Sequence, residues 1–345
     1  MKNQEKIFVI GHKNPDTDSI CSAIAYCDIK NRTTQESRYI PKRAGQINEE
    51  TEYVLNRFGV HPPGYLSNIG TQVKDMDIRL SPEANKSMSL KNAWDLMQEN
   101  SIVSLPIREK DGTLEGLITI GDIAKTYMDT TDSYLLSRAR TQYQRIAETI
   151  GGKVIEGNAH GYFIQGKIMV ATANPDKMKE YVEENDMVIM GNREEDHLQA
   201  IEQNVSCIIV GMGIEVTEKV LKLAHEKDIV IISSPYDTFT ISRLINQSIP
   251  VKYIMKTDNL VTFNTEDFTD DIQEVMIKHR HRAFPVINKK GKCIGTISRR
   301  NFLDMHRKKV VLVDHNEKDQ AVDNIDKADI MEIIDHHKLG TLQTM

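Results

Sequence analysis

The sequence predicts an α/β protein in which a parallel-sheet domain is cut in two by a long insertion, and the insertion carries a repeated unit on either side of an α/β middle segment. Three observations predict this. Apolar strands that end in acids and histidines stand near both ends of the chain. Two internal segments share one pattern, and between them short apolar strands alternate with helical stretches.

The first strand, IFVI, runs into GHKNPDTDS and so places His12, Asp16 and Asp18 at the joint between a buried strand and the next helix. Residues 1–65 are read as the first part of the sheet domain. The repeat follows, Val73 to Tyr127 within residues 66–128 and Val251 to Met305 within residues 249–307. Each copy opens on a VKDM or VKYIM step and continues into an amphipathic helix, LKNAWDLMQENSI or FTDDIQEVMIKHRH. A strand, a glycine turn and a second strand come next, with Pro106 matching Pro285 and Gly116 matching Gly295. Each copy then sets a hydroxyl three positions before Asp or Asn: Thr119 with Asp122, and Ser298 with Asn301. Such a pair at a helix start can bond ribose hydroxyls while the helix N–H groups face phosphate. It can equally cap the helix with no ligand present. Arg280, Arg282, Arg299 and Arg300 offer charge to a polyphosphate, or else form a solvated helix end.

Residues 129–248 alternate strand and helix, with SCIIVGMGIEVTEKVLKLAHEKDIVIISSP reading as strand, helix, strand, and are expected to form their own α/β domain. Gly211 and Gly213 lack the third glycine of a dinucleotide fingerprint, which excludes that site. Residues 308–345 return to the style of the opening, with VVLVDHNE and IMEIIDHHK each ending a strand in acid and imidazole. Parallel sheets gather ligand sites outside the carboxyl ends of their strands, so three such ends can converge on one crevice. His12, Asp16, Asp18, Asp314, His315, His336 and His337 mix neutral nitrogen with anionic oxygen, a donor set suited to manganese, cobalt or zinc. Two such ions about 3.5–4 Å apart, sharing a carboxylate, are the usual device for cleaving a phosphoric anhydride.

Composition narrows the partners. A net charge of −6 with 27% charged residues gives no basic excess for nucleic acid. No apolar run reaches the roughly 18 residues of a membrane span, and the opening MKNQEKIFVIGHKN lacks the apolar core of a secretory signal. Four scattered cysteines with no CxxC pair suit free thiols in a reducing cytoplasm, the expected location.

The two repeats resemble CBS domains, which pair and commonly bind adenine nucleotides. On that resemblance Thr119, Asp122, Ser298, Asn301, Arg280 and Arg282 are the nucleotide-binding candidates. The segment between them is similar to a DRTGG domain by its position and its VGMGIEVTEKVLKLA stretch, although GMGIE stands where the signature would fall. The motifs GHKNPDTDS, VDHNE and IDHHK resemble those of the DHH phosphoesterases, in the wording of family II inorganic pyrophosphatases with a CBS and DRTGG insert. The resemblance implies a Rossmann-like DHH domain that hydrolyses pyrophosphate with two Mn²⁺ or Co²⁺ ions, takes its substrate with Mg²⁺, and responds to AMP, ADP or ATP. It implies His12 and Asp16 on one ion, Asp18 and His336 on the other, and Asp314 between them. His337 would face pyrophosphate, while His315, Asn316 and Asp335 would orient the ligands. Attack on phosphorus by a hydroxide shared between the ions is the implied chemistry, with His337 and Asp314 as its catalytic residues. A homodimer through the CBS helices is expected by analogy. The chain stops at Met345, where that family continues with further strands and a substrate-gripping domain; the expectation is a C-terminally truncated chain with negligible turnover of its own. Two other functions fit the same motifs: an adenine-nucleotide sensor without catalysis, and another DHH-type phosphoesterase.

Overall fold

The computed structural model describes residues 6–35, 38–128, 132–172, 175–303, 305–338 and 340–344; the expected start of the middle domain at residue 129 and the terminal Met345 lie outside them. The chain folds into two compact units. One comprises Met1–Arg79, Phe263–Val286 and Ile297–Met345, the other Leu80–Thr262 and Ile287–Thr296.

The first unit is built on a five-stranded sheet in the order Asp329–Ile334, Lys309–Val313, Ile7–Ile10, Tyr39–Arg43, Gly64–Tyr65. All four pairings are parallel, and the two ends of the chain meet in its middle, with Ile7 opposite Lys309 and Ile10 opposite Leu312. The near-continuous apolar runs of these central strands fit a sheet covered on both faces. Val9, Ile10, Val310, Val311 and Leu312 are buried, each contributing about 1.5–3 kcal/mol. Helix Thr17–Thr34 begins on Asp16, whose Oδ1 accepts from Ser19 N at 3.0 Å, and it buries Ile20, Ala23 and Cys27. Its other side is tied to the edge strand: the Tyr26 hydroxyl donates to Glu332, and Lys30 pairs with the same carboxylate at 2.7 Å. Strand order reverses between Ile7–Ile10, which leads on to Tyr39–Arg43, and Lys309–Val313, which leads the opposite way to Asp329–Ile334. A crevice opens at such a reversal, outside the carboxyl ends of the strands.

The second unit holds another five-stranded sheet, ordered Lys153–Glu156, Val230–Ser233, Cys207–Val210, Met187–Met190, Ile168–Val170. The last four strands are parallel and the first is antiparallel. Here the strands advance in one direction and the order never reverses. Helices Pro175–Tyr181, Glu194–Glu202 and Glu218–Glu226 pack on one face, through Met178, Ala200, Ile201 and Val220. The other face shares a core with the first repeat: Met187, Ile189 and Ile209 cluster with Leu90, Met97, Leu105 and Ile107. The middle segment thus has two cores: the helix-covered face buries a cluster drawn from residues 171–231 alone, while the other face shares one apolar cluster with the first repeat.

That repeat consists of helix Leu90–Glu99, an antiparallel hairpin of Ser104–Arg108 with Leu114–Thr119, and closing helix Ile120–Met128. The second supplies helix Thr269–Lys278 and strands Phe284–Ile287 and Cys293–Ile297, but closes on a 3-10 turn, Arg299–Phe302. Gly112 and Gly291, with φ of 91° and 75°, occupy equivalent turns where an L side chain would be strained. Among the described residues no helix is long and apolar enough to cross a membrane, and all four cysteines are unpaired.

Candidate functional site

Three strand ends of the first unit bring their polar side chains to one crevice. Gly11 follows the first strand against helix Thr17–Thr34, where a Cβ would lie 1.9 Å from Ser19 Oγ and force that side chain to move. The turn places His12 Nε2 at 3.3 Å from Asp314 Oδ2 and 3.8 Å from Asp16 Oδ1. Asp314 follows the neighbouring strand in a left-handed conformation, φ 61°, uncommon for a residue with a side chain and typical of strain held at a functional position. Its amide donates to Ile334 O at 2.9 Å, which fixes it to the third strand end. His336 Nδ1 lies 3.8 Å from Asp314 Oδ1.

Two groups of ligand-capable atoms result, each within 4.8 Å: His12 with Asp16 and Asp314, and Asp314 with Asp335, His336 and His337. Asp314 belongs to both. Asp18 belongs to neither; its carboxylate accepts from Ser22 Oγ at 3.1 Å, though its charge still reaches Asp314. Asp335, read from sequence only as an orienting group, lies at ligand distance, and the Asp-His-His run itself carried that signal. It also orients: His337 Nδ1 donates to Asp335 Oδ1 at 2.6 Å and Asn316 Nδ2 to Asp335 Oδ2 at 2.5 Å.

Electrostatics fit a cation. The Asp314 side chain is 6% exposed, and burial together with the Asp18 charge raises its pKa, against the pull of His12. Burial works against the Asp335 carboxylate too, yet the hydrogen bonds from His337 hold its pKa below the usual range; the same bond raises that of His337. His315 donates from Nδ1 to Val313 O at 2.9 Å, leaving Nε2 unprotonated in the neutral ring. That Nε2 is buried without a hydrogen-bond partner, and burial, with the nearby His12, lowers the His315 pKa. A buried carboxylate facing imidazole nitrogens, with an orphaned ring nitrogen beside them, is a donor set that fits Mn²⁺ or Co²⁺.

The nucleotide candidates take more ordinary places. Thr119 N and Oγ1 both donate to Asp122 Oδ2, at 2.9 and 2.6 Å, and Lys256 pairs with Asp122 Oδ1 at 3.3 Å. Ser298 N and Oγ donate to Asn301 Oδ1 at 2.7 and 2.8 Å. Both pairs thus close a turn, the capping arrangement. Arg280, Arg282 and Arg300 are exposed. Arg299 is engaged elsewhere: its guanidinium donates to the carbonyls of Met276, His279 and His281, closing the end of helix Thr269–Lys278.

Comparison with known proteins matches this architecture. The CBS domain family matches residues 77–129 and 251–308, and the DRTGG domain family matches residues 145–248. A cobalt-dependent inorganic pyrophosphatase of Clostridium perfringens is 38% identical over 342 residues, 99% of this chain and 62% of its own length. A probable manganese-dependent inorganic pyrophosphatase of Thermotoga maritima is 32% identical over 345 residues, all of this chain and 63% of its own. The chain thus spans a little under two thirds of these curated relatives. Among solved structures, the CBS and DRTGG domains of the regulatory region of the Clostridium perfringens pyrophosphatase, complexed with its activator diadenosine tetraphosphate, align with a TM-score of 0.63. At 34% identity that alignment covers 66% of this chain and 100% of the other. With the regulatory region matched from end to end and the flanking pieces matched in the full-length relatives, this chain belongs to the family of inorganic pyrophosphatases that carry CBS and DRTGG domains.

Proposed function

We propose that the protein hydrolyses inorganic pyrophosphate to two phosphates with two Mn²⁺ or Co²⁺ ions, and that adenine nucleotides at the CBS pair regulate it. The observation that carries this reading is the sharing of Asp314 between two groups of ligand-capable atoms. His12 and Asp16 would hold one ion and His336 the other, with Asp314 between them. Asp335 stands closer to the second group than Asp18 does, so it competes for the role that the family pattern gives to Asp18. Bound there, the ions would supply Lewis acidity and lower the pKa of a water molecule. The protein's own part is to hold the ligands still. Asn316 fixes Asp335, and Asp335 fixes His337, so the His337 Nδ1 proton is spoken for. Its Nε2 is then the atom left to face a phosphate, with Mg²⁺ entering on the substrate.

The domain limits read from sequence, with residues 1–65 and 308–345 as the two pieces of the DHH domain, belong to the same proposal. So do a cytoplasmic location and a homodimer. For the dimer, the support is an apolar groove of about 320 Å³ lined by Leu90, Trp94, Ile120, Ile123 and Tyr127.

Equilibrium dialysis against Co²⁺, paired with phosphate release from Mg²⁺-pyrophosphate, tests the reading. Two ions per chain are expected, with any phosphate release dependent on Co²⁺. Failure to bind Co²⁺, with heat on adding AMP, would instead favour a nucleotide sensor without catalysis. Preference for a dinucleotide over pyrophosphate would favour another phosphoesterase.

A further inference from the structure

One short segment of the first unit touches both the second repeat and the strands of the metal crevice. Its near end lies against Asp323: Asp323 N donates to Ser67 O at 3.1 Å, and Ile69 N to Asp323 O at 3.0 Å. The Asp323 carboxylate pairs at 2.9 Å with Lys13, the residue after His12. Its far end is held by Lys308, whose Nζ donates to Gly70 O at 3.0 Å and pairs with Asp75 Oδ2 at 3.0 Å. The Lys308 side chain is 13% exposed, well withdrawn from water for a lysine, and directly precedes the strand that ends in Asp314. In between, the segment runs beside the second repeat. Val73 N donates to Asp267 O and Lys74 N to Thr265 O, each at 2.9 Å, and Thr269 N donates to Thr71 O at 3.0 Å. Thr269 opens the helix Thr269–Lys278, and Asn301 Nδ2 reaches Asp77 O at 2.6 Å.

We propose that residues 67–75 form a strap through which the second repeat adjusts the metal crevice, with Lys308 as the positioning residue that holds it. The proposal rests on the metal-site reading above. The two anchors flank different strands, one beside His12 after the first strand and one just before the strand that ends in Asp314. A shift of the repeat therefore pulls on two ligands that stand 3.3 Å apart, and it does so through backbone hydrogen bonds and two ion pairs. A purely structural tether would need only one of these anchors.

The test uses the whole chain, with Lys308→Met, Lys308→Arg and Asp75→Asn beside the wild type. Three quantities are measured: AMP binding by calorimetry, Co²⁺ affinity with and without AMP, and hydrogen exchange of residues 67–75 and 309–314 with and without AMP. In the wild type AMP should shift Co²⁺ affinity about fivefold or more, the lower end of ordinary allosteric coupling. K308M and D75N should bind AMP as before yet lose that shift and the AMP-dependent exchange, while K308R keeps both. Full coupling in K308M and D75N overturns the proposal, and so does loss of AMP binding in both, or a wild type indifferent to AMP. Exchange is read without metal or substrate. A wild type that binds no Co²⁺ would thus retire the functional reading while the strap stands or falls on its own result.

Discussion

The two repeats share one sequence pattern and end in different structural company. The first lies, from Leu80 onward, wholly in the unit of the middle segment and shares its apolar core. The second is divided: residues 287–296 at the tip of its hairpin count with that unit, where Cys293 N donates to Gly112 O at 3.0 Å. Its helix and closing turn count with the unit of the candidate metal crevice. The pattern of apolar positions is alike, so the difference comes from what each helix is offered to pack against. Leu90, Ala93 and Met97 meet the face of a sheet, whereas the second helix starts on the segment that leads out of the crevice. Duplication thus yields one repeat built into the unit of the middle segment and one in the unit that carries the candidate site.

The strongest way to break this comparison is to remove the shared ligand. Asp314→Asn should weaken Co²⁺ binding by more than about 100-fold, beyond the about 10–100-fold that outer partners of ligands contribute. Because coupling is reciprocal, AMP affinity should then take its metal-free value whether or not Co²⁺ is present. Metal-free stability should rise. Burial and Asp18 hold the Asp314 carboxyl above its ordinary pKa, so its contribution is favourable below the unfolded value and lost as pH rises through the folded one. At neutral pH the amide removes an unfavourable buried charge. Thermal unfolding of both metal-free proteins checks the sign, and a lower midpoint for D314N would contradict it.

A second pair of changes asks whether the repeats differ in what they support. Leu105→Ala, at a fully buried position of the first repeat, should cost about 2–5 kcal/mol. Phe284→Ala in the second, where the ring packs 5.3 Å from Phe263, should cost about 3–5 kcal/mol. The costs overlap, but the metal responses should not. L105A should leave Co²⁺ affinity within about twofold, as for independent sites, and F284A should weaken it by more than that. Equal responses would mean that the division of the second repeat has no functional weight.

Much of this was legible in the sequence because it rests on local signals. The strands IFVI and VVLV, the glycine turns at Gly112 and Gly291, and the acids and imidazoles at strand ends are set by neighbours in the chain. What escaped was non-local. Nothing in the pattern around Asp18 separates it from Asp16, yet the capping bond of Asp16 turns one toward His12 and leaves the other outside the ligand groups. Arg299 reads as a free cation until the fold brings three carbonyls from residues 276–281 to it. The middle segment reads as a domain because its strands and helices are complete, and its helix-covered face does keep a core within residues 171–231; only the packed structure reveals that the other face shares a core with Leu105 and Met97.

The smallest effect is the most telling about the nucleotide candidates. Thr119 starts a nine-residue α-helix and Ser298 a four-residue 3-10 turn, though each makes the same reciprocal bonds with the residue three positions on. A cap contributes in proportion to the helix that would fray without it. Thr119→Ala should therefore cost about 1 kcal/mol in the absence of ligand, while Ser298→Ala costs less than about half of that, in line with caps on weak helices. Ligand binding need not follow the same order. Both hydroxyls stand at the N-terminal end of a helical turn, so if they serve a nucleotide, calorimetry should show AMP affinity falling in both variants, by a similar factor. If AMP affinity instead tracks the stability change, falling for T119A and not for S298A, the hydroxyls are caps alone and the nucleotide is held by other groups.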